Sequence, residues 1–321
     1  MFTKNITFLP ILMFALTDVI NGAFLRIEFP RAASMGSAFV ALSNDVSSCI
    51  YNPAGLPLPK IREFSIVYSK LFTGLPEIDI SQYYVAYAQP IQQRSTCGLC
   101  VYQLSEPIYK ESVIFLSYGY LLILDEKKRA LSLGISVKYL EINYITENLQ
   151  YFSADDTILA AKNSKNALSL DLGFLYRMKK ISAGIAIKNV TQPNIGFSLH
   201  EAVPIPIEIN CGITFLNLTV FRNNYISPSI EIDICRNKLF YSAGAELYIK
   251  DGELSFRGGV NNKNNELSFG FSYYPPLTKK ASGRGKVKFS CGVDYAILLP
   301  FGRESLQSTA GTHLIGLNLK F

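Results

Sequence analysis

From about residue 62 to the end, the chain alternates between apolar and small or polar residues with a regularity that only one kind of element satisfies. In 287–295, Val287, Phe289, Cys291, Val293 and Tyr295 are apolar, and Lys288, Ser290, Gly292 and Asp294 fall between them. Leu267, Phe269, Phe271 and Tyr273 repeat the design around Ser268, Gly270 and Ser272, as do Leu168 to Tyr176 and Ile205 to Phe215. A helix cannot place residues i, i+2, i+4 and i+6 on one face, whereas a strand does so automatically. The pattern predicts an all-β, antiparallel fold of about fourteen strands, over 62–72, 81–90, 96–104, 111–123, 129–144, 167–178, 180–189, 204–216, 226–235, 238–250, 253–261, 265–274, 286–298 and 310–321. Most have nine residues or more, which suits tilted strands crossing a bilayer better than the ~5–6 usual in soluble sheets.

Long alternating strands fit either a soluble sandwich with its apolar face inward or a transmembrane barrel with that face in lipid. Composition separates them. Hydrophobic residues make up 49% of the chain and charged ones only 17%, yet beyond the first 25 residues no run approaches the ~18 apolar residues of a membrane helix. The surplus is dispersed along strands. Their other face is rich in Gly, Ser and Ala rather than Lys and Glu, which suits a crowded lumen, and Tyr and Phe recur near strand ends as interface girdles require. The last strand alternates through His313, Ile315, Leu317 and Leu319 to a terminal Phe321. That ending resembles the C-terminal signal by which bacterial outer-membrane barrels engage their assembly machinery. The expectation is a transmembrane β-barrel in the outer membrane of a diderm bacterium, surrounded by outer-membrane lipid.

The first residues fit that destination. Lys4, the apolar stretch Ile6 to Leu16, and Gly22-Ala23 have the layout of a secretory signal peptide over 1–23, with Asn21 an imperfect −3 residue. With both ends of the barrel on the periplasmic side, Arg94, Lys127, Lys128, Arg129, Arg177, Lys179, Lys180, Lys279, Lys280 and Arg284 fall at periplasmic turns. These scattered cations make no nucleic-acid patch. The six cysteines match no disulfide framework, and Cys97 and Cys100 sit in a strand pattern where their sulfurs point to opposite faces. No metal or cofactor motif occurs. The two histidines, His200 and His313, lack Ser and Asp partners at catalytic spacing, so no enzyme is expected.

Residues 24–61 break the alternation. They run Arg31-Ala32-Ala33-Ser34-Met35-Gly36-Ser37-Ala38-Phe39-Val40-Ala41-Leu42, then Asn44-Asp45, then Tyr51-Asn52-Pro53-Ala54-Gly55-Leu56. Small residues of this kind suit close packing against other backbone inside a lumen. With Pro300-Phe301-Gly302, Thr312-His313 and the terminal Phe321, these runs resemble the FadL-like outer-membrane barrels, and within them the PorV/PorQ type. The resemblance implies fourteen strands and an N-terminal hatch over 24–61 plugging a barrel over 62–321, with Asn52-Pro53-Ala54 as its N-P-A motif. Hatch residues singled out are Arg31, Met35, Gly36, Asn44, Asp45, Asn52, Pro53, Ala54 and Gly55; Ser37 stands where a second glycine is common. Lumen-facing polar residues on the strand register are Lys138, Asp171, Glu208, Glu231, Asp233, Glu246, Arg257, Lys288 and Asp294.

Two functions follow as expectations. The FadL side implies passage of small hydrophobic compounds, such as long-chain fatty acids, past the hatch. The PorV side implies a barrel that binds exported proteins or a secretion complex through its outer loops.

Overall fold

In the computed structural model the described residues are 24, 26–75, 79–125, 129–145, 164–197, 202–221, 223–249, 252–275, 289–301 and 309–321. Residues 1–23 and Lys288 lie outside them. Fifteen strands form one antiparallel sheet: β1 (Glu63–Leu71), β2 (Ile80–Gln92), β3 (Ser95–Ser105), β4 (Tyr109–Leu124), β5 (Arg129–Tyr144), β6 (Ser164–Met178), β7 (Ile181–Lys188), β8 (Glu208–Phe215), β9 (Leu218–Phe221), β10 (Asn224–Cys235), β11 (Lys238–Ile249), β12 (Leu254–Asn261), β13 (Glu266–Tyr273), β14 (Ser290–Pro300) and β15 (Thr312–Lys320). Successive strands pair with one another, except that β8 and β9 both pair with β10, and β15 pairs back onto β1, with Glu63 opposite Lys320. The sheet closes on itself into a ring.

Strands β8 and β9 both pair with β10 along the same side, separated at Leu216-Asn217, where Asn217 takes a left-handed φ of 48°. They form one stave broken by an irregularity, so the barrel has fourteen staves. The sequence pattern does not foresee this break. It also starts β8 too early: Pro204 and Pro206 lack the N–H a ladder needs, and Pro204 makes only an isolated bridge to Asn194. Of the connection before β14, residues 286–288 lie outside the described residues and the strand itself begins at Ser290.

Burial decides between the two architectures. On β4, Val113, Phe115, Ser117 and Leu121 are buried while Ile114, Leu116, Tyr118, Tyr120 and Leu122 are exposed. Leu168 is 65% exposed and Ile230 59%, each in mid-sheet with apolar neighbours on the same face. At roughly 25 cal/mol per Å² such a surface would be costly in water, and lipid removes the cost. Among the described residues no helix is long and apolar enough to cross a membrane. The strands do the crossing.

The core therefore sits inside the ring, between the wall and residues 26–58. This segment contains two one-turn helices, α1 (Pro30–Ala33) and α2 (Ser48–Tyr51), and a 3-10 turn at Pro53–Gly55. Single turns are unstable alone, so packing holds them. Phe29, Met35, Phe39, Leu42, Val46, Ile50, Tyr51 and Leu56 of the segment form one apolar cluster with Tyr84, Tyr102, Tyr109, Val113, Phe115, Leu140 and Ile142 of the wall.

Candidate functional site

The interface between segment and wall is built first from missing side chains. Gly134 on β5 faces the 3-10 turn so closely that a Cβ there would lie 2.2 Å from the Ala54 nitrogen. Gly36 combines a left-handed φ of 63° with a site where a Cβ would meet the Val260 carbonyl at 2.5 Å, and its N–H donates to Ser268 Oγ at 2.9 Å. Asn52 ties the turn together. Its Oδ1 accepts from Ala54 N at 3.1 Å, and its Nδ2 donates to the carbonyls of Val40 (3.0 Å) and Phe174 (3.1 Å). Pro53 occupies the first position of the turn, where no N–H is needed. Ser132 Oγ donates to the Ala54 carbonyl at 2.6 Å, and Gly55 packs against the Ser43 carbonyl.

A charge network binds the segment to the opposite wall. Arg31 Nη2 donates to Glu246 Oε2 at 2.8 Å and its Nε to Glu246 Oε1 at 3.1 Å; its Nη1 reaches Asn44 Oδ1 and Asp45 Oδ2, both at 2.7 Å. Glu246 is 1% exposed and also accepts from Arg257 Nε at 2.7 Å and Tyr248 OH at 2.5 Å. One buried carboxylate thus holds two guanidiniums, one from the segment and one from β12. Burial works against the charge on Arg31, but Glu246, Tyr248 and Asp45 outweigh it and hold the guanidinium above its ordinary range. Burial likewise disfavours the Asp45 carboxylate, yet Arg31 and the Ser47 hydroxyl keep its pKa below the ordinary value. Burial pushes the Cys49 thiol up to about 12, so it is not a reactive thiolate.

The other anticipated inward residues that are described are buried as well. Glu231 Oε2 accepts from the backbone nitrogens of both Phe39 and Val40 at 2.8 Å. Asp294 accepts from Asn318 Nδ2 (2.7 Å), Tyr274 OH (3.2 Å) and Ser272 Oγ, and Arg257 Nη2 approaches to 3.9 Å. Lys138 pairs with Asp171 at 2.6 Å and donates to Asn189 at 2.6 Å. Glu208 pairs with Lys263 at 2.9 Å, and Asp233 accepts from Asn210. These last two groups belong to the wall and its distal loops rather than to the segment's charge network. Met35 lies with its backbone against Gly244 and Gly259. Phe321 exchanges backbone hydrogen bonds with Arg62 at 3.0 Å in each direction, and its side chain is exposed. All six cysteines are free.

Sequence reasoning missed several contributors. Glu63 accepts from Val46 N at 2.9 Å, and Arg26 pairs with Glu266 at 2.7 Å. Both glutamates sit at the first residue of a strand, where the inward register could have pointed to them. Arg177, expected among the periplasmic turn cations, points inward and donates to the Leu42 carbonyl at 3.2 Å. Among the described residues no cluster of His, Cys, Asp or Glu could hold a metal ion.

Cavities flank the segment at both ends. The larger, about 530 Å³, opens at the end where the barrel starts and finishes, and is lined by Arg31, Arg177, Glu246, Tyr248, Arg257 and Lys320 among others. The smaller, about 240 Å³ and mainly apolar, lies at the opposite end near Phe24, Leu71, Tyr102, Leu104, Tyr109 and Glu111. They share no lining residue.

A closed fourteen-stave barrel with an apolar belt and a filled lumen defines the class: a β-barrel resembling outer-membrane proteins. Among solved structures, the TodX monoaromatic hydrocarbon channel deltaS2 mutant superposes with a TM-score of 0.54 at 10% identity, over 91% of this chain and 96% of that one. The TodX deltaS2S3 mutant gives 0.53 at 10% identity, over 91% and 97%. At such identity the likeness concerns the fold alone. No curated protein matches the chain. The family model described as type IX secretion system membrane protein PorP/SprF matches residues 46–317, and the chain belongs to that family. This corrects the PorV/PorQ assignment: the FadL-like fold stands, and the family within it is PorP/SprF.

Proposed function

We propose that this protein is an outer-membrane component of a type IX secretion assembly, exported by a signal peptide, that binds secretion-system or exported proteins and conducts no solute through its lumen. It is the second of the two expected functions, and the family match favours it. The observation that carries the closed lumen is the Arg31–Glu246–Arg257 network. It joins the segment to β11 and β12, while Asn52 and Gly134 seat the same segment on β5 and β6. Passage of fatty-acid-like compounds, the first expectation, draws no support from the family, and the aromatic part of the lumen is already packed against segment residues.

The outer loops and the barrel rims supply the binding surfaces, and the strand ending at Phe321 serves recognition by the barrel-assembly machinery. Cross-linking in intact cells followed by affinity purification tests the reading. Recovery of type IX components, with loss of type IX cargo at the surface when the gene is deleted, is the expected result. Normal cargo delivery without the protein, together with fatty-acid uptake in vesicles reconstituted with it, would overturn it.

A further inference from the structure

The backbone nitrogen of Phe24, at the start of the segment, meets a buried carboxylate. Phe24 N lies 3.1 Å from Glu111 Oε2, inside the distal end of the lumen. The carboxylate's other oxygen accepts from Tyr109 OH at 2.8 Å. Glu111 is 5% exposed, and among the described residues no Lys or Arg pairs with it. The nearby cation, Arg26, is taken by Glu28 and Glu266. A buried carboxylate without a cation is costly, and Glu106 beside it adds a second acid to the same cavity.

We infer that the Ala23–Phe24 bond is the processing junction and that Glu111, oriented by Tyr109, is the receptor for the α-ammonium this cut creates. A signal peptidase hydrolyses the bond with one water: the Ala23 carbonyl carbon takes the hydroxyl, and the Phe24 nitrogen takes the hydrogen and a further proton. An amide N–H offers Glu111 one hydrogen bond, whereas the ammonium offers a charge and three donors.

Two independent observations agree. Phe24 has a φ of 60°, which L-residues rarely adopt because the preceding carbonyl crowds the side chain; removing Ala23 removes that carbonyl. Secondly, Phe24 lines one cavity with Leu71, Phe72 and Tyr102, at the end of the lumen remote from Glu63 and Lys320. The reading rests on the signal-peptide export proposed above but not on the secretion role.

The test is N-terminal sequencing of protein purified from outer membranes, combined with acetylation of amines before and after unfolding. The chain should begin at Phe24, and its α-amine should react at least about ten-fold more slowly in the folded barrel than in the unfolded chain. In Glu111→Gln, with the same start, most of that protection should be lost. Should Glu111→Gln fail to fold, Tyr109→Phe gives the intermediate case, and the wild-type labelling decides by itself. A chain starting elsewhere, or an α-amine equally reactive in both states, overturns the inference.

Discussion

The two sides of the lumen grip the same segment by different physics. On the β10–β14 side the contacts are directional: Glu231 receives the backbone N–H groups of Phe39 and Val40, and Glu246 joins Arg31 of the segment to Arg257 of β12. On the β2–β5 side they are mainly aromatic and apolar, beside neutral hydrogen bonds such as Ser132 to the Ala54 carbonyl and Glu28 N to Tyr84. Phe29 packs on Tyr84 with ring centroids 5.3 Å apart, and Tyr84 on Tyr102 at 5.0 Å. Apolar packing tolerates small shifts, but a buried carboxylate serving two cations does not. The charged wall therefore fixes where the segment sits, and the aromatic wall supplies area that keeps it there.

The sharpest break of this contrast is Glu246→Ala. It leaves Arg31 and Arg257 buried without their shared acid and should cost about 3–5 kcal/mol, read as a lower urea midpoint in detergent. Tyr84→Phe, on the other wall, removes the hydroxyl that accepts from Glu28 N at 3.1 Å and donates to Gln82 at 2.8 Å. It should cost only about 1–2 kcal/mol by the same measurement. Equal losses at the two positions would erase the distinction. Between them falls Gly134→Ala, whose added carbon collides with backbone that cannot yield cheaply and should cost about 1–3 kcal/mol.

Acid should act on the charged side. The Asp45 pKa is lowered in the folded state, so its contribution is full above the ordinary value of 3.8 and is lost as pH falls through the folded value. Unfolding midpoints should therefore drop below about pH 4, and Asp45→Asn should flatten that part of the profile. The smallest expected effect is a gain. Ser37 holds a left-handed φ of 64°, and Ser37→Gly should stabilise by up to about 1 kcal/mol, less whatever the Ser37 Oγ contact to Glu28 at 3.2 Å contributes.

How far the sequence reaches follows the same division. Period-two alternation marks every stave because a strand forces it, and the inward register of Glu246, Arg257, Glu231 and Asp294 comes with it. The partners do not. That Arg31 rather than another cation meets Glu246 depends on how a segment more than 200 residues upstream threads the ring. Arg177 shares the strand parity of Asp171, which the register places inward, but its position at a strand end beside Lys179 and Lys180 makes it read as a turn cation. The break at Asn217 leaves no local signal, since β8 and β9 read as one strand and a gap. Ser37 is the opposite case: its place beside Gly36, where glycine is common, marks a position needing a left-handed φ, and the structure has one there.

The central claim is that the segment closes the barrel, and conductance of the purified protein in planar bilayers tests it most directly. Wild type should show no steady conductance, whereas a variant carrying both Glu246→Ala and Arg31→Ala should open intermittently. A large, stable conductance in wild type would contradict the account.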